Sequence, residues 1–242
     1  MTIEFHDVAL SAIAFLSELL GTLSGFGSST FFVPAALFVE SFQFVLALTA
    51  ILHCFGNFFR IWLFREGFEW KYLSQLVLPA VVFTVIGAAL TATVSVEWMM
   101  RALGVLLIAL SVVFFVGKHK LTKLPTWASV ILSGLSGFST GFVGTGGAIR
   151  GLALSAMQLP KTSFVITSAS IDILGDALRA VIYIRNGFMD WHQWFYIPIL
   201  GLVAYAGEKK KKNILNKISQ QQFEKIVSVF IFISGIMMLF KK

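Results

Sequence analysis

Most of this chain is laid out in apolar stretches, at roughly 8–39, 42–64, 72–94, 98–117, 126–157, 161–184, 191–207 and 221–240. Runs such as Val77 to Val94 and Ala102 to Val116 contain no charged residue. About 18 or more apolar residues suffice to cross a bilayer. Backbone in lipid must satisfy its own hydrogen bonds, which leaves only helices or closed barrels. A barrel would read as short segments of alternating polarity, and these runs do not alternate. Composition agrees: 57% of residues are hydrophobic and 13% charged, against about 25% charged in soluble domains. The sequence therefore predicts an all-α polytopic membrane protein.

The formal net charge of +7 comes partly from two basic stretches, Lys118, Lys120 and Lys123, and Lys209 to Lys212 with Lys217. Beside membrane spans such residues mark cytoplasmic loops facing anionic lipid, so nucleic-acid binding is not expected. The single cysteine, Cys54, excludes an intrachain disulfide and a cysteine metal cluster; no cofactor or metal is expected. Met1 to Asp7 lacks Lys and Arg, unlike the start of a cleaved signal peptide, so the first apolar segment is expected to remain.

Two glycine-rich stretches interrupt long apolar segments at matching points, Gly21 to Thr30 and Gly137 to Gly147. With one gap at Val143, Gly21 aligns with Gly137, Gly25 with Gly141, Phe26 with Phe142 and Gly27 with Gly144. The likeness continues. Gly56-Asn57 and Arg60 match Gly175-Asp176 and Arg179, the Gly67-Phe68-Glu69-Trp70 turn matches Gly187-Phe188-Met189-Asp190-Trp191, and Pro79 matches Pro198. Several matches in one order argue for a duplicated unit. The repeats are placed at about 8–117 and 126–240, joined by the basic loop 118–125, within a single transmembrane domain spanning 1–242.

The first and fifth segments are too long for straight spans. Val8 to Val39 as one helix would run about 48 Å, against a hydrocarbon core of about 30 Å. Each contains a glycine break and so reads as a broken or re-entrant helix followed by three spans. If both are hairpins, the loops 118–123 and 209–217 fall on one side of the membrane, with Arg65, Lys71 and Lys161, and both termini lie opposite. The positive-inside rule prefers this arrangement, and three full spans per repeat invert one repeat relative to the other. The alternative is a parallel repeat of four spans each, with a kinked first helix.

Charge inside a membrane is costly, roughly 3 kcal/mol per residue on insertion scales, and tends to mark function. His53, Asn57 and Arg60 share one helix face, and Asp172, Asp176 and Arg179 repeat that spacing. Guanidinium groups suit oxyanions, so Arg60, Arg179 and Arg150, which follows the second glycine break, are candidate anion ligands. The competing reading is ion pairing within the protein, as of Asp176 with Arg179. Unwound glycine loops expose N–H groups beside helix N-termini. Gly25, Gly27, Ser28 and Ser29, and Gly144, Thr145, Gly146 and Gly147, are therefore candidate binding residues, together with Asn57 and Asp176. Close packing explains isolated helix glycines well, but it explains the adjacent glycines at 144–147 poorly. Glu18, His53 and Asp172 are candidates for proton coupling. The tryptophans at segment ends, including Trp70, Trp98, Trp191 and Trp194, read as interfacial anchors.

These features together resemble the TauE/SafE family of sulfite and organosulfonate exporter-like permeases: a glycine-rich break followed by Pro34, its Gly-Thr-Gly-Gly counterpart, and a Gly-Phe-x-Trp-type turn after each charged helix. The likeness runs from about Leu10 to Phe240. It implies export of a small sulfur oxyanion or sulfonate across a bacterial inner membrane, with Gly25, Gly27 and Gly144 to Gly147 near the path. Ser28-Ser29-Thr30 stands where the family usually shows more glycine, and Gly151 where it often has proline. The expectation is a secondary transporter, non-enzymatic, for a small anionic substrate, with proton coupling. The alternatives are a passive anion channel and an intramembrane enzyme. The last would need an activated nucleophile, and Cys54 beside His53 points away from it on a helix.

Overall fold

Both long apolar segments break at their glycines. In the computed structural model, which describes residues 5–24, 27–63, 67–117, 125–155, 157, 159–214 and 220–241, the first segment forms α1 (Phe5–Ser24) and α2 (Ser29–Ala36). The fifth forms α6 (Thr126–Val143) and α7 (Gly147–Ser155). Between them lie α3 (Phe42–Leu63), α4 (Trp70–Leu90) and α5 (Val96–Gly117). After them come α8 (Lys161–Arg185), α9 (Tyr196–Ile214) and α10 (Gln220–Phe240). The described residues contain no strand. Among the described residues, three helices are long and apolar enough to cross a membrane: α3, α4 and the Val96–Val113 part of α5. Gly25 and Phe26, Arg65 and the loop 118–123 lie outside the described residues.

Each break folds the chain back on itself. Ten residues of straight helix span about 15 Å, yet Ser136 Oγ donates to the Gly146 carbonyl at 2.8 Å and Ser28 Oγ to Glu18 Oε1 at 2.6 Å. So α7 lies back along α6, and the start of α2 back along α1. The turn residues explain why glycine is needed. Gly27 (φ 81°) and Gly144 (φ 80°) are left-handed, a conformation that favours glycine. The other left-handed glycines among the described residues are Gly67 and Gly187. These four fall into the two pairs that the sequence alignment matches.

The main helix contacts join one half of the chain to the other: α4 with α6 and α8, α9 with α1 and α3, α3 with α8, and α5 with α10. Exchanging the halves reproduces the same set. Ser133 Oγ donates to the Leu76 carbonyl at 2.9 Å, and side chains at Gly137 and Gly141 would stand 2.1 and 2.0 Å from the Ala80 and Thr84 carbonyl oxygens. The steady register makes α4 and α6 parallel with their backbones in contact. In the same way Asp7 meets Tyr196 while Glu18 meets Gly207, so α1 and α9 are parallel. Helices α3 and α9 are parallel too, through Phe55 on Gly201 and Phe59 on Tyr205. The matched pair α5 and α10 runs antiparallel, with Gly104 on Gly235 and Ser111 Oγ donating to the Ser228 carbonyl at 2.8 Å.

One boundary differs from the sequence reading. The segment expected at 191–207 opens with a 3-10 turn, Trp191–Gln193, capped by Asp190. Its helix α9 then continues to Ile214. Lys209 to Lys212 are therefore helical, not loop. Lysine is a good helix former. Trp70, Trp98, Trp127, Trp191 and Trp194 are all exposed at helix ends, as interfacial anchors would be.

Candidate functional site

The polar residues of the two halves meet in one buried network. Asn57 on α3 donates from Nδ2 to Asp176 Oδ2 on α8 at 2.7 Å. The other oxygen of Asp176 accepts Arg179 Nε at 2.9 Å, and Arg179 Nη1 donates to the Thr140 carbonyl at 3.1 Å. His53 Nδ1 lies 3.8 Å from Asp176 Oδ2. One turn along α3, Arg60 sits between two carboxylates. Its Nη2 donates to Glu18 Oε2 on α1 at 3.1 Å and its Nε to Glu208 Oε1 on α9 at 2.5 Å. A third guanidinium, Arg150 on α7, pairs with Asp172 on α8 and donates from Nε to Ser168 Oγ at 2.8 Å. The α3 and α8 stripes thus face each other, as their matched spacing predicts.

The cluster sets three guanidiniums, Arg60, Arg150 and Arg179, against four carboxylates, Glu18, Asp172, Asp176 and Glu208. Unpaired charge away from water is very unfavourable, so burial accounts for the pairing. Arg179 is fully buried; its Nε and Nη1 are taken up by Asp176 and the Thr140 carbonyl, while Nη2 has no hydrogen-bond partner.

Arg60 and Arg150 have a different setting. Together with Gly21, Gly27, Phe164, Val165 and Ser168 they line a cavity of about 40 Å³. The cavity lies between the halves: Gly27 comes from the first break, Arg60 from α3, Arg150 from the helix after the second break, and Ser168 from α8.

The two breaks touch. Ser29 Oγ and Thr30 Oγ1 lie 3.3 and 3.2 Å from Thr145 Oγ1, and a side chain at Gly27 would stand 3.6 Å from Gly147 Cα. The second break is tightly closed. Ser139 donates to the Thr145 carbonyl. A side chain at Gly146 would meet the Ser136 carbonyl at 2.1 Å, and one at Gly144 would meet Leu46 at 2.7 Å. The run at 144–147 therefore has structural reasons the sequence did not show: Gly144 makes the left-handed turn and Gly146 the backbone approach. Neither lines the cavity. Gly25 lies outside the described residues.

Sequence reasoning missed Glu208. It stands just beyond the apolar part of α9, at the head of the four lysines, where it reads as a solvated charge. Its side chain is 0% exposed. A helical wheel carried through the lysines would have put it on the face of Phe55's neighbour Gly201, seven residues earlier. Cys54 is a free, partly exposed thiol.

A second cavity, about 290 Å³, is lined by Ser41, Gln43, Phe44, Asn186, Gly187, Phe188, Asp190 and Gln193. From Gln43 to Arg60 along α3 is about 25 Å. The two cavities thus lie near opposite ends of that helix. Buried Phe31, Phe32 and Val33 of α2 fill the interior with Leu46 and Leu48.

Spanning apolar helices, two fold-back breaks and a buried charge cluster beside a small cavity define a helical membrane protein with a polar centre in its interior. The profile of the sulfite exporter TauE/SafE family matches residues 10–238, and the chain belongs to that family. No match was found among curated proteins or among solved structures.

Proposed function

We propose that this protein is a secondary transporter for a small sulfur oxyanion, bound between Arg60 and Arg150 in the cavity beside the first glycine break. The observation that carries the reading is the pair of guanidiniums facing one cavity from opposite halves of the chain. Such donors hold oxyanions through charge-assisted hydrogen bonds, and Ser168 and the Gly27 backbone add polar surface. Arg179 serves as a structural partner of Asp176 in this reading rather than as a ligand.

The halves are inverted repeats in the membrane, a reading supported by the antiparallel α5 and α10 and by the parallel α1 with α9 and α4 with α6. The ends of α3 and α9 that carry Arg60 and Glu208 then share a side with Lys71 and Lys209. The positive-inside rule makes that side cytoplasmic, in a bacterial inner membrane. The arginine cavity is offered towards the cytoplasm and the larger cavity lies on the opposite face. The buried α2 plug separates them, and rocking of the halves alternates access. Three guanidiniums against four carboxylates leave no surplus positive charge for an anion, so a proton taken up by the cluster accompanies it.

The test is flux in proteoliposomes with sulfite, sulfate, sulfoacetate and taurine. Saturable sulfite flux exceeding that of taurine is expected. Absence of protein-dependent anion flux refutes the transporter; flux that never saturates and shows no counterflow assigns a channel. Topology is checked separately in a Cys54→Ser background by labelling Lys120→Cys, Lys212→Cys and Ser41→Cys from outside intact cells. Only the Ser41→Cys position is expected to react, and labelling of just one of the two lysine positions rules out the inverted arrangement.

A further inference from the structure

Ser28 makes two contacts that its position does not require. As the residue preceding α2 it could cap that helix, yet its side chain makes no cap bond. Its hydroxyl instead donates to Glu18 Oε1 at 2.6 Å and lies 3.0 Å from His53 Nε2. A hydroxyl has one proton to give. With that proton directed to Glu18, the Ser28 oxygen accepts, so His53 carries its hydrogen on Nε2. The tautomer follows from the network rather than from a visible hydrogen. His53 Nδ1 is then bare and faces Asp176 Oδ2 at 3.8 Å. Two acceptors facing each other repel until a proton joins one of them.

We infer that His53, Ser28 and Glu18 form a proton relay, and that Ser28, carried on the first glycine break, is the contact that opens and closes it. The inference rests on the proposed anion transport and names its coupling route. The step balances as a shift of protons alone. A proton arrives at His53 Nδ1. The Nε2 proton passes to Ser28 Oγ, and the Ser28 hydroxyl proton passes to Glu18 Oε1. One proton has entered, Glu18 is neutral, and His53 is again neutral with its hydrogen on Nδ1.

Neutral Glu18 weakens its hold on Arg60 Nη2, and Arg60 lines the cavity. The guanidinium is thereby released to the anion in the same event that loads the proton. Ser28 precedes α2 directly, next to left-handed Gly27. A movement of α2 that withdraws Ser28 from His53 breaks the relay and keeps the loaded proton from returning. The groups facing this relay from every side belong to the same cluster: Arg60 on α3, Arg150 on α7, Asp172, Asp176 and Arg179 on α8, and Glu208 on α9.

The experiment measures protons carried per sulfite in proteoliposomes, from a trapped pH dye and labelled sulfite, at a pH above sulfite's own titration range. Ser28→Ala is expected to lower that ratio at least fivefold, and Ser28→Thr to restore it. If Ser28→Ala gives no flux at all, His53→Gln is read in the same way and is expected to show the same fall. An unchanged ratio in the variant that transports overturns the relay. A wild type that exchanges sulfite but moves no proton also overturns it while leaving the anion reading standing. A wild type without sulfite exchange overturns the anion reading itself.

Discussion

Arg150→Gln is expected to raise the sulfite concentration for half-maximal flux by about 10- to 150-fold, the loss of one charge-assisted hydrogen bond worth about 1.5–3 kcal/mol. Arg150 is the better position for this test than Arg60. Arg60 is held by two carboxylates, Glu18 and Glu208, whereas Arg150 has one, Asp172, together with the neutral Ser168 hydroxyl. Glutamine keeps a donor for Asp172 and limits damage to the fold. Arg150→Lys retains the charge without the planar fork and is expected to fall between the two. The measurement is the concentration dependence of labelled sulfite flux in proteoliposomes, with gel filtration confirming an intact protein. Half-saturation within twofold of wild type for Arg150→Gln would remove this residue from the anion site.

The second large effect concerns stability. Asp176 and Arg179 are fully buried and bonded at 2.9 Å. Breaking such a pair from one side leaves an uncompensated buried charge and costs about 3–5 kcal/mol, whereas replacing both partners with apolar residues is often neutral. Asp176→Leu and Arg179→Leu are each expected to lower the melting temperature in detergent by roughly 10 °C or more, and the double variant to recover most of that loss. Asn57 and the Thr140 carbonyl would still lose a partner in the double variant, so full recovery is not expected. A double variant as unstable as the worse single one would show that the pair does more than neutralise itself.

The sequence made the helical membrane class and both breaks readable because each is a local property. Apolar length and glycine placement need no knowledge of neighbours. The facing of the α3 and α8 stripes was readable too, because a three- and four-residue spacing puts side chains on one face. What could not be read was which arginine borders open space. Alignment pairs Arg60 with Arg179, yet Arg60 borders the cavity while Arg179 is enclosed by Asp176 and Thr140. The second arginine at the cavity is Arg150, whose matched position holds Val33. Such asymmetry depends on how α7 lies against α8, a contact between elements. Glu208 escaped for a related reason: the charge run that hides it is a helix only because α9 continues past its apolar part. The glycines at 144–147 looked like an ion cradle because adjacent glycines cannot share a packing face. In the structure, a reversed chain gives each of them a different neighbour.

The pairing of α1 with α9 and of α4 with α6 bears on how the protein is made. Glu18 precedes Arg60 by 42 residues and Glu208 follows it by 148, and both close on the same arginine. During insertion Arg60 has Glu18 as its carboxylate until α9 has been made. Neither half produced alone would complete that triad. Two separately expressed fragments divided at the basic linker should therefore be short-lived singly and persist when co-produced.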